Sequence, residues 1–156
     1  MRHDALRNEH CAIARSLAIL GERWTFVILR QAFMGARRFE DYQRGTSIAR
    51  NILTDRLRVL VEEGILERRV YADHPGRTLY QYRLTEKGLE LYPILLTLMK
   101  WGNKHGGFED GPPVRLVHNT CGKETVPSFV CSECGEEIDP RQMTPQADPA
   151  TVPSAA

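Results

Sequence analysis

The sequence predicts an α+β protein, mainly helical with a small β-wing. It has the order of a winged helix-turn-helix, followed by a small β zinc-ribbon-like appendage. Three observations carry this reading. Residues 35–71, GARRFEDYQRGTSIARNILTDRLRVLVEEGILERRVY, run through a short helix, a tight turn, a second amphipathic helix and an arginine-bearing strand. That is the order in which such a module presents one helix to the DNA major groove. ILERRVY and LYQYRL, both β-branched and aromatic, flank ADHPGRT and its Pro-Gly tip, as the two arms of a hairpin would. Near the C-terminus, His118-x2-Cys121-Gly122 and Cys131-x2-Cys134-Gly135 repeat one pattern of paired metal donors.

In chain order, CAIARSLAIL places Ile13, Leu17 and Leu20 on one helical face, and Gly21 ends or kinks that helix. ERWTFVILRQAF, with Trp24, Val27, Ile28 and Leu29, is apolar enough for a central core helix that Gly35 stops. A short helix from Arg38 to Arg44 exposes charge and turns Phe39 and Tyr42 inward. Gly45-Thr46-Ser47 makes the turn, with Ser47 as the candidate N-cap of the next helix. That helix, about residues 49–63, repeats Leu53, Leu57 and Leu60 on a core face beside Val61, and Gly64 ends it. After the hairpin, Thr85 caps a long helix, TEKGLELYPILLTLMKWGNKH, in which Pro93 should introduce a local kink. Its apolar residues surround so much of the cylinder that one domain core cannot cover them, which predicts a homodimer.

Composition divides the chain into residues 10–107, residues 114–140 and a Pro- and Ala-rich tail, 141–156, expected to be disordered. Residues 1–107 hold 18 Lys/Arg against 12 Asp/Glu, whereas residues 108–156 hold 3 against 8. The first part is therefore +6 and the second −5, which directs an anionic partner to the first. Fifteen of those 18 cations are Arg, the side chain suited to bidentate contact with phosphate and guanine. With no apolar run of membrane-spanning length and no signal-peptide core in MRHDALRNEHC, the expectation is a soluble cytoplasmic protein with no membrane partner. No H-E-x-x-H helix, P-loop or nucleophile elbow is present, so an enzyme is not expected.

The expected partner is double-stranded DNA. A recognition helix needs an apolar face to fix it on the scaffold and polar side chains near its N-terminus to reach base edges. Arg50 can pair with guanine O6 and N7, and Asn51 with adenine N6 and N7, because each offers matching geometry. Thr54 lies one turn on, within reach of base or phosphate. Ser47 and the helix N-terminal amides suit phosphate, and Arg58 is placed for backbone contact. Arg38, at the start of the short helix before the turn, belongs to the same DNA-contacting set. Arg68, Arg69 and Arg77 lie on or near the wing, where cations meet flanking phosphate or the minor groove. Any one of these would, taken alone, equally be a solvated surface residue.

The run GERWTFVILRQAFMGARRFEDYQRGTSIARNILTDRLRVLVEEGILERRVY, with YRLTEKGLEL and WGNKH after it, resembles the HxlR-type family of bacterial winged-helix transcription factors. The specific matches are Cys11, Gly21-Glu22-Arg23-Trp24, Arg38-Phe39, Leu53-Thr54-Asp55-Arg56-Leu57 and Thr85-Glu86-Lys87-Gly88. The resemblance implies a homodimer built by the first and last helices that binds an inverted repeat, more as a repressor than as an activator. The chain departs from short members of that family through its extension after Gly107.

In the extension, three thiolates and an imidazole with x2 spacing within each pair suit a closed, structural Zn²⁺ site of His118, Cys121, Cys131 and Cys134. A structural disulfide is disfavoured in a reducing compartment, and SECGEEIDP shows no helix to support a redox-active pair. His118 is the weakest of the four ligands. Such a segment also suits a protein-interaction module of the transcription machinery. Cys11, at the start of the first amphipathic helix, reads as a small residue in the dimer interface. The alternative, a redox-sensing thiol favoured by the helix dipole, is a role the resemblance implies for some family members.

Overall fold

The computed structural model describes residues 3–146, with the backbone alone at residues 3, 4, 73, 74 and 77. The chain divides into two compact units between Gly106 and Gly107.

The first unit contains α1 (His3–Arg7), α2 (Ala12–Leu20), α3 (Thr25–Phe33), α4 (Phe39–Thr46), α5 (Arg50–Glu62), the hairpin β1 (Leu66–His74) and β2 (Arg77–Leu84), α6 (Glu86–Leu89) and α7 (Tyr92–His105). Its core follows from the apolar spacing of α3 and α5. Ile28 and Leu29 of α3 meet Leu53, Leu57 and Leu60 of α5, with Leu20, Tyr42, Ile48, Ile65 and Leu66 closing around them. Each buried aliphatic side chain contributes about 1.5–3 kcal/mol relative to exposure, so α5 is fixed by one face and free on the other.

Turn chemistry sets the joints. Gly35 has φ +96 and Gly64 has φ +68, left-handed geometry that stops α3 and α5 without a Cβ clash. Ile48 is buried in the α4–α5 turn, and the Gln43 side-chain amide donates to its carbonyl. β1 and β2 pair antiparallel from Leu66↔Leu84 to His74↔Arg77, with an irregularity between Val70 and Ala72. Pro75-Gly76 forms the tip, Gly76 taking φ +80. The hairpin is bound to the helices because Tyr82 N–H donates to Arg37 O at 2.7 Å.

Two expectations are corrected. Ser47 does not cap α5. It sits in the left-handed region at φ 55 as the C-cap of α4, and Ala49, without a side-chain cap, occupies the N-cap of α5. Gly45 and Thr46 belong to α4, so the turn is shifted to Ser47, Ile48 and Ala49, with Ile48 buried as its anchor. Pro93 does not kink a continuous helix. The chain breaks at Glu90–Leu91, and Pro93 stands in the first turn of α7, where its missing N–H has no helical partner to lose.

Thr85 does cap α6, its hydroxyl accepting from Gly88 N–H at 3.1 Å. The same hydroxyl reaches Gly64 O at 2.6 Å, and Lys87 Nζ donates to Glu63 O at 2.6 Å. Thr85-Glu86-Lys87-Gly88 therefore ties the end of the wing to the end of α5.

The second unit holds a short hairpin, β3 (Leu116–His118) with β4 (Lys123–Thr125). A bridge between Val130 and Glu137 and a 3-10 turn at Pro140–Gln142 capped by Asp139 follow it. That turn runs into the segment expected to be disordered, 141–156, whose residues from 147 onward lie outside the described residues. None of residues 107–146 is buried.

Candidate nucleic-acid interface

The outward face of α5 is built by subtraction. With Leu53, Leu57 and Leu60 turned into the core, helical spacing leaves Asn51, Thr54 and Arg58 exposed on the opposite side. Thr54 Oγ1 donates to Arg50 O at 2.8 Å, and Arg58 pairs with Glu62 at 2.9 Å on the same exposed face. No side chain caps the first turn of α5 and no acidic residue stands in it. Its leading N–H groups and the positive end of its dipole thus meet no competing carboxylate in that turn.

Arginine–aromatic stacking extends this face to the wing. The Arg50 guanidinium lies 4.7 Å from the Phe39 ring centroid, Arg38 lies 4.5 Å from Tyr71, and Arg68 lies 4.2 Å from Tyr80. Each stack is worth about 0.5–1 kcal/mol at an exposed site and restrains a long cation before any ligand arrives. A shallow cavity of about 490 Å³ opens between α4 and the hairpin, lined among others by Arg38, Asp41, Arg44, Tyr71 and Tyr80.

Asp41 organises the start of α4. Its carboxylate accepts from the amides of Arg38 at 2.9 Å and Arg37 at 3.2 Å and pairs with Arg44 at 2.9 Å. The amide of Arg38 first, then that of Arg37, and the nearby Arg44 charge hold its carboxyl below the usual range. Tyr42 and Tyr82 meet edge-to-face at 6.1 Å beneath this corner, and burial pushes both hydroxyls up.

The structure brings Arg38 and Arg50 together around the start of α4 and sets Asn51, Thr54 and Arg58 along one face. Ser47 is exposed in the turn between α4 and α5. Arg68 and Arg69 alternate across β1, so Arg69 pairs with Glu67 at 2.6 Å instead of joining the aromatic row. The backbone of Arg77 opens β2 opposite His74, and its side chain lies outside the described residues. Sequence reasoning missed Phe39, Tyr71 and Tyr80 as platforms for arginine. The signal available was an aromatic residue recurring beside the basic positions.

Cys11 is exposed and occupies the N-cap of α2. In the second unit, His118 Nδ1 and Cys121 Sγ are 3.5 Å apart. The amides of Cys134 and Glu133 donate to Cys131 sulfur, and these, with the Cys134 side chain, hold that thiol below the usual cysteine range. Among the described residues no three His, Cys, Asp or Glu side chains converge to hold a metal ion. The pairs therefore stand as two separate halves. No helix among the described residues is long and apolar enough to cross a membrane.

The HxlR-like helix-turn-helix family model matches residues 19–110. An HTH-type transcriptional regulator of Mycobacterium tuberculosis is 44% identical over 143 residues, 92% of this chain and 89% of that protein. Among solved structures, a candidate transcription factor, PA1607, aligns with a TM-score of 0.81 at 32% identity over 92% of this chain and 99% of its own. Both matches cover more than the first unit alone can account for. The redox regulator HypR in its oxidized form aligns at a TM-score of 0.55 and 33% identity over 61% of this chain and 97% of its own. With α4, α5 and the β1–β2 wing in the matched segment, the chain belongs to the HxlR-like helix-turn-helix family of transcriptional regulators.

Proposed function

We propose that the protein is a homodimeric, cytoplasmic regulator that reads an inverted-repeat operator through two α5 helices and acts as a repressor. The observation that carries the reading is α5 itself. One face is locked in the core, polar side chains cover the other, and Arg50 stands at an uncapped N-terminus. Arg50 and Asn51 would read base edges, with Arg38, Ser47, Thr54, Arg58, Arg68, Arg69 and Arg77 positioning the module on phosphate. Two such helices entering successive major grooves require half-site centres about 10 bp apart.

The dimer is supported by apolar surface that the single chain leaves uncovered. No residue of α7 is buried, and Ile94, Leu98 and Trp101 are exposed. Ile13 of α2 is 72% exposed, and an apolar groove of about 410 Å³ runs between α2 and α7, lined by Ile13, Leu17, Leu20, Phe26, Ile94 and Leu98. Surface of this kind on two helices is what a self-complementary two-fold interface buries.

Fluorescence anisotropy against the DNA upstream of the protein's own gene, with scrambled DNA as competitor, tests the reading. Binding that survives the competitor supports it. Equal, salt-labile binding to both DNAs, at this and any other promoter tried, would leave only a basic surface.

A second reading adds a redox signal through Cys11, favoured by its exposure at the N-cap of α2 beside the proposed interface and by the likeness to HypR. It requires that mild peroxide weaken operator binding by the wild type. An identical loss in Cys11→Ser would reject it.

A further inference from the structure

The second unit repeats one turn twice. Gly122 N–H donates to His118 O at 2.7 Å with Gly122 at φ +69, and Gly135 N–H donates to Cys131 O at 2.9 Å with Gly135 at φ +75. Each turn ends a short antiparallel ribbon. The first closes β3 on β4, with His118 opposite Lys123. The second is closed by Cys131 N–H to Glu136 O at 2.8 Å, the Val130–Glu137 bridge, and Ile138 N–H to Phe129 O at 2.9 Å. Both glycines take a left-handed φ that a side chain would strain, and each follows the second donor of its pair.

Inside the first turn the two donors already share one side. An imidazole nitrogen and a thiolate on one tetrahedral Zn²⁺, at about 2.0 and 2.3 Å from the ion, stand about 3.5 Å from each other. His118 Nδ1 and Cys121 Sγ stand at 3.5 Å. In the second turn, Cys131 and Cys134 hold the matching positions, bracketed by the Gly135 N–H to Cys131 O bond at 2.9 Å.

Among its described residues the unit has no buried core to hold it. No residue from 107 to 146 is buried, and Val117, Val126, Phe129 and Val130 are all exposed. Three-residue strands in two-stranded ribbons are not stable alone in water, and segments this small are usually fixed by a metal or a disulfide.

We propose that the two turns close on a single Zn²⁺ ligated by His118 Nδ1 and the sulfurs of Cys121, Cys131 and Cys134. The ion draws together two preformed halves. Three thiol protons pass to solvent on binding, and the closed site carries a net charge of −1. With four protein ligands it has no open position for substrate, so its role is to fold this unit.

Full-length protein purified in reducing buffer and supplied with Zn²⁺ alone is the test. The expected result is about one zinc per chain by mass spectrometry. Cys11 alkylates readily, and the other three thiols react only after chelation. Co²⁺ in place of zinc should give the absorption of a tetrahedral thiolate site, with three protons released per ion. Cys134→Ser and His118→Ala should each lose most of the metal, whereas Cys11→Ser keeps it. Cobalt absorption in the wild type stands as evidence even where a variant misfolds. Absence of retained zinc with equal alkylation of all four cysteines would overturn the proposal, as would a Cys131–Cys134 disulfide in protein kept reduced. Full zinc content in His118→Ala would overturn the closed four-ligand site. None of these readouts depends on DNA binding.

Discussion

The guanidinium of Arg50 lies 4.7 Å from the centre of the Phe39 ring, so the first residue of α5 is held by the first residue of α4. This stack sets where the proposed base-reading cation starts from. Arg50→Ala should weaken operator binding by about 1–3 kcal/mol and relax discrimination at one base position, while Arg69→Ala should weaken all sequences alike and lower the salt slope by about one. Phe39→Leu keeps the charge and frees the arginine, so it should lose less affinity than Arg50→Ala while blurring the same position. Binding titrations over an operator library with each base varied check this. Uniform loss in Arg50→Ala would reassign that residue to phosphate.

The apolar groove between α2 and α7 leads to a second expectation. Ile13 and Leu98 are exposed and absent from the core, so Ile13→Glu with Leu98→Glu should leave the helical circular dichroism of the fold intact. The same pair should split the proposed dimer to monomers in light scattering at micromolar concentration and abolish cooperative operator binding. A variant that remains dimeric would move the interface elsewhere.

Much of this was legible in the sequence. The leucine spacing of α5, the Pro-Gly tip and the placement of Gly35 and Gly64 depend on local period and backbone sterics, and each is found where the pattern put it. Ser47 misled because its suitability as a cap is local, while burial of Ile48 and the Gln43 bond to its carbonyl are tertiary. Pro93 misled because a proline in an apolar run is equally at home in a new first turn. α1, five residues tied to the end of α5 by the Arg7–Glu63 ion pair, has too short a period to announce itself. The arginine–aromatic row joins residues from α4, α5 and both strands, so no window of sequence contains it.

Gly88 provides a test of the tie between wing and recognition helix. A Cβ at this position would meet Ile65 O at 2.2 Å, a backbone atom that cannot swing aside. Gly88→Ala should therefore cost about 1–3 kcal/mol as overpacking, and Thr85→Ala about 1 kcal/mol as a lost cap. Urea denaturation measures both. Because the two residues share one joint, their effects should combine non-additively, and strict additivity would argue against the joint.

The start of α4 carries a pH dependence whose sign follows from Asp41. Its folded pKa lies below the ordinary value of 3.8 because the amides of Arg38 and Arg37 donate to the carboxylate, with Arg44 adding its charge. A depressed carboxyl pKa contributes stability that is present above the unfolded pKa and is lost as pH falls through the folded value. The Asp41 side chain is 35% exposed, so screening keeps the ionic part small. Asp41→Asn retains an acceptor but no charge and should lose about 0.3–1 kcal/mol at neutral pH, the range of a helix-terminal charge. The difference from wild type should narrow as pH drops below 4 and vanish once wild-type Asp41 is protonated. Paired thermal melts from pH 7 to pH 3 check it. A gap that stays constant through that range would mean that the packing of Asn, and not the charge on Asp41, accounts for the loss.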